Sequence, residues 1–162
     1  MSKNAISIIM GSQSDLETVK EAMDLLRKFK VGFEVKVLSA HRTPKELAEY
    51  LGKAPKSGIK VFIAAAGGAA ALAGVVASQS TLPVIGIPIE TKSLKGLDSL
   101  LSIVQMPAGV PVACMAIGKA GAKNAAIFAL EILGIRDASL NSKLIRYKNE
   151  MRISIKKIKI KV

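Results

Sequence analysis

The sequence predicts an α/β protein: a five-stranded parallel sheet covered by helices on both faces. Short apolar runs typical of buried strands alternate five times with longer helical segments. Half of the residues are hydrophobic, but aromatic residues make up only 4% and tryptophan is absent, so the core must be aliphatic. With 162 residues and no linker or repeat, the chain fits one domain over residues 1–162, with a basic C-terminal helix and tail from about 137 to 162.

The strands are predicted from apolar or alternating runs that end at glycine, proline or small polar residues. We expect them at residues 5–10, 33–38, 60–65, 83–88 and 111–117. Each is followed by a helical segment, and a sixth, basic helix closes the chain after the fifth. The first strand (AISIIM) has no polar alternation apart from one serine, which is the pattern of a strand buried on both faces.

Local signals mark the ends of several helices. Ser14–Glu17 and Thr43–Glu46 both have the spacing of a capping box, in which the first and fourth residues cap each other's backbone. Pro44 falls at the first helical position, where its missing N–H costs nothing. Gly134 follows a run of small and aliphatic residues and is expected just beyond the end of the fifth helix.

The net charge of +12 is concentrated at the C-terminus. Residues 142–162 hold eight Lys or Arg residues and one acidic residue. A basic chain can attract nucleic acid, an anionic membrane or an anionic small substrate. Because the tail from Ile153 to Val162 has no aromatic residue to stack on bases, we expect a solvated extension and no nucleic-acid partner.

Several classes of protein are not expected from this sequence. No apolar run approaches the roughly 18 residues of a membrane span, and the start, Met1–Asn4, lacks the regions of a signal peptide. One cysteine, Cys114, and one histidine, His41, cannot form an internal disulfide or a Cys/His zinc site. We therefore expect a soluble cytoplasmic protein without a metal, and Cys114 as a small hydrophobic residue of the core.

Three polar or glycine-rich loops follow the first three strands. In open parallel sheets, ligands bind beyond the carboxyl ends of the strands, near the point where the strand order reverses. A flavodoxin-like order of 2-1-3-4-5 would place the three loops side by side. They are Gly11–Asp15, Ser39–Arg42 and Ala66–Ala69.

The first loop is suited to a phosphate group. It opens a helix whose free N–H groups and positive dipole end attract anions, and Ser12 and Ser14 add hydroxyl donors. A plain strand-to-helix turn is the alternative. Asp15 would repel a phosphate, so beside a nucleotide it is better placed to accept hydrogen bonds from ribose hydroxyls.

The second loop holds the candidate proton carrier. An unperturbed imidazole changes charge near pH 6.5, so His41 could donate and recover a proton during a reaction cycle. Arg42 beside it offers a forked cation for phosphate. A structural or merely exposed histidine is the alternative, and for the Ala66–Ala71 loop the alternative is tight packing.

Six collinear motifs together resemble the N5-carboxyaminoimidazole ribonucleotide mutases, the catalytic-subunit type of phosphoribosylaminoimidazole carboxylase. The resemblance runs from residue 9 to about Asn124. The motifs are Ile9–Asp15, Ser39–Pro44, Gly67–Ala70, Pro83–Pro88, Ser102–Pro107 and Ala116–Gly118.

The resemblance implies a flavodoxin-like three-layer α/β/α subunit in a homo-octamer, and a catalytic domain that acts on a nucleotide without a cofactor. The carboxylate on the exocyclic nitrogen would move to C4 of the imidazole through released and recaptured CO2. His41 would be the general acid and base. The implied substrate-binding residues are Ser12, Ser14, Asp15, Ser39, Arg42 and Gly68.

The chain departs from the family pattern at two positions. Members usually carry a second histidine where this chain has Ala71, and often a proline where it has Ala73. Ala71-Leu72 resembles the related carboxylases that use free CO2, whereas Arg42, where that branch is expected to have lysine, favours the mutase. A direct carboxylase and a non-catalytic flavodoxin-like or nucleic-acid-binding module are the alternative functions.

Overall fold

The computed structural model describes residues 4–160. Strands and helices alternate through most of the chain, as the sequence predicts. The strands are β1 (Ile6–Met10), β2 (Phe33–Val37), β3 (Val61–Ala66), β4 (Val84–Pro88) and β5 (Ala113–Cys114). The helices are α1 (Leu16–Phe29), α2 (Pro44–Lys53), α3 (Leu72–Ser78), α4 (Leu97–Val104), α5 (Gly118–Gly134) and α6 (Ala138–Lys156).

The five strands form one parallel sheet in the order β2-β1-β3-β4-β5, which confirms the predicted flavodoxin-like arrangement. The order reverses between β1 and β3, so the loops after these two strands leave the same edge of the sheet in adjacent positions. β5 is shorter than predicted and pairs with β4 only through Ala113 and Cys114. Pro111, where the predicted strand began, has no N–H to donate to a ladder.

Aliphatic side chains fill the core, as the composition predicts. One cluster joins β1, β3 and β4 to α2, α3 and α4 through residues such as Ile9, Phe62, Leu47, Leu72 and Ile103. Every residue of β1, β3 and β4 is buried, so the sheet is covered on both faces. α1 and α5 are joined by the ion pairs Glu17–Lys119 (2.8 Å) and Glu21–Lys123 (3.2 Å).

The predicted capping box at Ser14–Glu17 is wrong by two residues. The chain forms a single 3-10 turn at Gln13–Asp15 before α1, and Ser12 is its N-cap. Ser12 Oγ accepts a hydrogen bond from the Ser14 N–H (3.3 Å), and Asp15 Oδ2 accepts one from the Ser12 N–H (3.2 Å). Asp15 thus supplies the carboxylate of the capping box two residues earlier than the sequence spacing predicts. Glu17 pairs instead with Lys119 of α5.

The predicted capping box at Thr43–Glu46 is also wrong, although Pro44 does open α2. Thr43 is the N-cap residue, but its side chain makes no capping bond. Thr43 Oγ1 instead accepts from the Ser39 N–H (2.8 Å) and lies 3.2 Å from the Ser39 carbonyl oxygen. The hydroxyl is therefore used to close the preceding loop, not to cap the helix that follows.

The chain divides into two compact units, one ending at Ala129 and one beginning at Leu130. The division falls inside α5, and the expectation of a single domain stays a prediction. In the second unit Gly134 is the last residue of α5, not the residue beyond it. A Cβ at Gly134 would lie 3.3 Å from Leu144 Cδ1 of α6, so the glycine permits a close approach of two helices.

α6 begins at Asp137, whose side chain accepts from the Leu140 N–H (2.9 Å), and extends through Lys156. Its last turns and the residues up to Ile160 are exposed, as expected of a solvated extension. Lys161, Val162 and the first three residues, on which parts of the tail and signal-peptide expectations rest, lie outside the described residues. Within the described part of the chain, no helix combines the length and apolar character that crossing a membrane requires.

Candidate active site

A cavity of about 540 Å³ opens at the carboxyl edge of the sheet. Its walls come from the loops that follow β1, β2, β3 and β4, which are neighbours in the sheet. The three loops singled out from the sequence therefore meet in one place. Of the seven predicted site residues, six line the cavity: Ser12, Ser14, Asp15, Ser39, His41 and Arg42.

The turn after β1 forms a compact polar wall. The hydroxyl oxygen of Ser14 lies 2.9 Å from Ser12 Oγ and 3.2 Å from Asp15 Oδ1. Ser12 and Ser14 are at the surface of the cavity, whereas Asp15 is only 7% exposed. A Cβ on Gly11 would meet nothing within 4 Å, so the space beside this backbone is open to a ligand.

Two effects shift the pKa of the Asp15 carboxyl group in opposite directions. Burial raises its pKa above the usual value and is the largest influence on it. The hydrogen bonds from Ser14 and from the Ser12 backbone, together with the positive charge of Arg42, act in the opposite direction without cancelling it. Asp15 is thus a poorly hydrated acceptor that is fixed in position by its own neighbours.

The loop after β2 places His41 and Arg42 on the cavity beside this turn. His41 is exposed, and within residues 4–160 no hydrogen bond is made to its imidazole ring. Arg42 Nη2 donates to the carbonyl oxygen of Gly11 across 2.7 Å. The arginine thereby ties the second loop to the first, while the histidine side chain stays free to meet a ligand.

Ser39 and Thr43 close this loop on either side of His41. The two bonds between the Thr43 hydroxyl and the Ser39 backbone clamp its ends together. Ser39 Oγ accepts from the Arg42 N–H (3.2 Å) and lies 3.4 Å from Arg42 Nε. Ser39 therefore both lines the cavity and orients the arginine.

The loop after β3 contributes small residues, as predicted. Gly67 and Ala69–Leu72 line the cavity, whereas Gly68 is not among the lining residues. Its φ of +69° is one that glycine adopts readily, and its N–H is donated to Ser99 Oγ (3.0 Å). Ala71, the position where a histidine was expected from the family pattern, lines the cavity at the N-cap of α3.

Sequence reasoning missed the loop after β4. Ile89, Glu90 and Thr91 complete the cavity wall, and Glu90 brings a second acidic side chain to it. Thr91 Oγ1 donates to Asp98 Oδ1 (2.8 Å) and accepts from the Gly96 N–H (3.2 Å), which fixes the shape of this loop. The predicted strand order already placed β4 beside β3, so its loop could have been expected at the same edge.

Two further expectations concern metals and the cysteine. Among the described residues there is no group of three or more His, Cys, Asp and Glu side chains that could hold a metal ion. Cys114 is half-buried and packs against the core cluster, and burial raises the pKa of its thiol. A raised pKa disfavours the thiolate, which agrees with a packing role.

The family model and the sequence relatives that match this chain point to the same family. The family model described as AIR carboxylase matches residues 5–154. A Bacillus subtilis protein named N5-carboxyaminoimidazole ribonucleotide mutase is 58% identical over 139 residues, which are 86% of each chain. A Vibrio parahaemolyticus protein of the same name is 54% identical over 145 residues, which are 90% of each chain.

Solved structures agree with the sequence relatives. The crystal structure of Treponema denticola PurE superimposes with a TM-score of 0.85 at 26% identity, and the match covers 93% of this chain and 92% of that one. The protein described here belongs to the AIR carboxylase family.

Proposed function

We propose that this protein is an N5-carboxyaminoimidazole ribonucleotide mutase of purine biosynthesis, an isomerase that uses no cofactor. The observation that carries the proposal is the meeting of His41, Arg42 and the Ser12–Asp15 turn on one cavity. The high identity to proteins of that name supports the choice of substrate.

The reaction can be completed with one proton carrier. The N–C bond to the carboxylate breaks, CO2 is released, and the exocyclic nitrogen takes a proton from the His41 imidazolium. C4 of the aminoimidazole then attacks the retained CO2, and neutral His41 removes the proton that C4 carried. The proton is returned and the product is an isomer of the substrate, so no oxidant or reductant is needed.

The remaining side chains are proposed to bind the nucleotide. The Ser12 and Ser14 hydroxyls, at the start of a helix, suit the phosphate, and the Arg42 guanidinium adds a forked positive charge. Asp15 would accept hydrogen bonds from ribose hydroxyls, away from the phosphate charge. Ser39 and Gly68 would shape the pocket, with Gly68 acting through the conformation of its loop.

We also propose a homo-octamer that works in the cytoplasm. The surface of α4 supports self-association, because Leu97, Leu101 and Val104 lie on one face of the helix and each is about half exposed. A contiguous apolar stripe of this kind is typical of a protein interface. Size-exclusion chromatography with light scattering tests the assembly, and a monomeric mass would contradict it.

A second candidate function is direct carboxylation of aminoimidazole ribonucleotide by CO2. The presence of Ala71 and Leu72 on the cavity wall favours it, because this pair resembles the carboxylase branch. The two functions separate in one assay. Turnover of the carboxyamino substrate without added bicarbonate supports the mutase, whereas bicarbonate-dependent turnover of the unmodified ribonucleotide alone would support the carboxylase.

The Ala71 position allows a second arm in the same assay. Ala71→His places an imidazole on the cavity wall where the family pattern has one. We expect this variant to bind substrate more tightly than the wild type and to keep its reaction type. A change from one substrate to the other in Ala71→His would show that this position selects the reaction.

A further inference from the structure

Ser99 is a fully buried hydroxyl that joins two walls of the cavity from behind. It lies in α4 with no exposed surface. Ser99 Oγ donates to the carbonyl oxygen of Ile89 (2.7 Å) and accepts from the N–H of Gly68 (3.0 Å). Ile89 belongs to the loop after β4, and Gly68 to the loop after β3. Backbone bonding between the two segments ends where the Ile89 N–H donates to the carbonyl oxygen of Ala66 (2.9 Å). The side chain of Ser99 links the two loops beyond that bond.

A hydroxyl at this position is costly unless both of its bonds are made. Within residues 4–160 only three polar side chains are buried, those of Ser7, Asp15 and Ser99. Burying a hydroxyl without partners is unfavourable by a few kcal/mol, so an apolar residue would be the simpler choice in a helix packed against an aliphatic core. The two hydrogen bonds of Ser99 offset the unfavourable free energy of burying its hydroxyl only while both loops stay in place.

The same helix also contacts the carbonyl group of Gly68. Ser102 Oγ donates to the Gly68 carbonyl oxygen across 3.4 Å. Gly68 is in the left-handed region at φ +69°, and Ala70 two residues later also has a positive φ of 38°. A loop with this backbone keeps its shape only when its surroundings define it. α4 defines it through two serine hydroxyls one helical turn apart.

We infer that Ser99 is a positioning residue for the reaction, which holds the Gly67–Ala71 loop against Ile89 so that the cavity wall retains CO2 between its release and its recapture. The inference rests on the proposed function for its chemistry. Ser99 does not line the cavity and does not touch the substrate. Its effect passes through Gly67 and Ile89, which both line the cavity. The two residues are in close contact: a Cβ placed on Gly67 would lie 3.4 Å from Ile89 Cβ and 3.8 Å from the Ile89 carbonyl oxygen.

The test compares Ser99→Ala with the wild type in two measurements. Backbone hydrogen exchange of the Gly67–Ala71 peptide reports on the loop directly, and we expect it to be about tenfold faster or more in the variant, the size of one lost buried hydrogen bond. The second measurement is the fraction of turnovers that release aminoimidazole ribonucleotide instead of the carboxylated product. We expect this leak to rise severalfold and kcat to fall about tenfold, with KM within about twofold.

Three control variants separate positioning from stability. Ile103→Val removes a methylene from the buried face of α4 without touching either loop bond, and Ser78→Ala removes a serine bond to a backbone carbonyl in α3. Both should keep the wild-type leak. Ser102→Ala removes an exposed hydroxyl and should fold normally, with a smaller increase in exchange and leak.

The outcomes are distinct. Exchange and leak in Ser99→Ala that match the wild type would overturn the inference, and so would an equal rise in Ile103→Val, because global stability would then explain it. A wild type without mutase activity would contradict the proposed function, while the exchange measurement would still decide whether Ser99 holds the loop.

Discussion

Arg42 donates a hydrogen bond from Nη2 to the carbonyl oxygen of Gly11 across 2.7 Å, and this bond joins residues 31 positions apart. It connects the loop that carries the candidate proton carrier to the turn that is suited to the phosphate. The guanidinium also interacts with Ser39 Oγ and lowers the pKa of Asp15 by its charge, although burial outweighs it. Arg42 thus connects two loops of the candidate site and is also a candidate substrate-binding residue.

Arg42→Lys should raise KM for the carboxyamino substrate by about tenfold or more. Lysine keeps the positive charge but loses the planar fork, so it cannot bond Gly11, Ser39 and a phosphate together. Steady-state kinetics measures the change. Arg27→Lys on the exposed face of α1, where Arg27 pairs with Asp24, is the matched control and should leave KM unchanged. An unchanged KM in Arg42→Lys would remove Arg42 from the binding site.

Asp15→Asn should stabilise the fold or leave it unchanged near neutral pH while it weakens substrate binding. The pKa of Asp15 is raised by burial, so the native state keeps this proton to a higher pH than the unfolded chain does. The stability contributed by this carboxyl is complete below its ordinary pKa and is lost as the pH rises through the raised value. Asparagine keeps an acceptor for the Ser12 N–H without the buried charge.

The pH dependence of the stability difference between Asp15→Asn and the wild type tests the direction of this pKa shift. We expect the difference in Tm between Asp15→Asn and the wild type to favour the variant more at about pH 7 than at about pH 3, which is below the ordinary pKa of an aspartate. A variant that is less stable than the wild type at neutral pH, with a deficit that shrinks on acidification, would contradict the raised pKa.

Tyr50→Phe should lower the free energy of unfolding by about 1–3 kcal/mol. The Tyr50 hydroxyl, on α2, bonds Ser7 Oγ of β1 and a carboxylate oxygen of Glu34 on β2. Ser7 is fully buried and would lose its partner. Burial and the Glu34 carboxylate also raise the pKa of Tyr50, so its hydroxyl keeps its proton at neutral pH.

Denaturant titration of a double-mutant cycle tests this network. Ser7→Ala combined with Tyr50→Phe removes both partners and should recover part of the loss seen in Tyr50→Phe alone. If the two losses are simply additive, the Ser7–Tyr50 bond contributes nothing to stability.

Lys30→Gly should stabilise the protein by about 1 kcal/mol. Lys30 follows α1 in the left-handed region at φ 57°, and its N–H closes the helix on the carbonyl oxygens of Arg27 and Leu26. Glycine adopts this conformation without the Cβ strain. Thermal unfolding measures the gain, and Lys20→Gly in the exposed middle of α1 should instead cost about 1 kcal/mol. A loss of stability in both variants would contradict backbone strain at Lys30.

The fold could be predicted from the sequence to the level of strand order because buried strands have a distinct apolar pattern. The local caps could not. Ser14–Glu17 and Thr43–Glu46 have the correct spacing, but Asp15 and Thr43 use their oxygens for contacts with Ser12 and Ser39. These bonds depend on loop geometry that residue spacing does not specify. Gly134 likewise is the last residue of α5 and not the residue beyond it, and it permits the close approach of α6.

The site residues that directly follow a strand could be predicted, because their position at the carboxyl edge of the sheet indicates a binding role. The residues of the first two loops do meet on one cavity. Glu90 and Thr91 were missed because neither has a glycine or serine motif around it. Gly68 was predicted as a pocket residue, and the structure shows its N–H bonded to Ser99, a partner 31 residues away that no local pattern indicates.

The role of His41 as proton carrier is tested by the turnover of N5-carboxyaminoimidazole ribonucleotide by the wild type and by His41→Asn, with substrate binding measured for both. Asparagine is a polar side chain that can replace histidine in the loop, but it cannot donate and recover a proton at neutral pH. We expect the wild type to form the C4-carboxylated isomer, and His41→Asn to bind the substrate with similar affinity but to turn it over at least about a hundredfold more slowly. Turnover by His41→Asn within a few fold of the wild type would show that His41 is not the proton carrier.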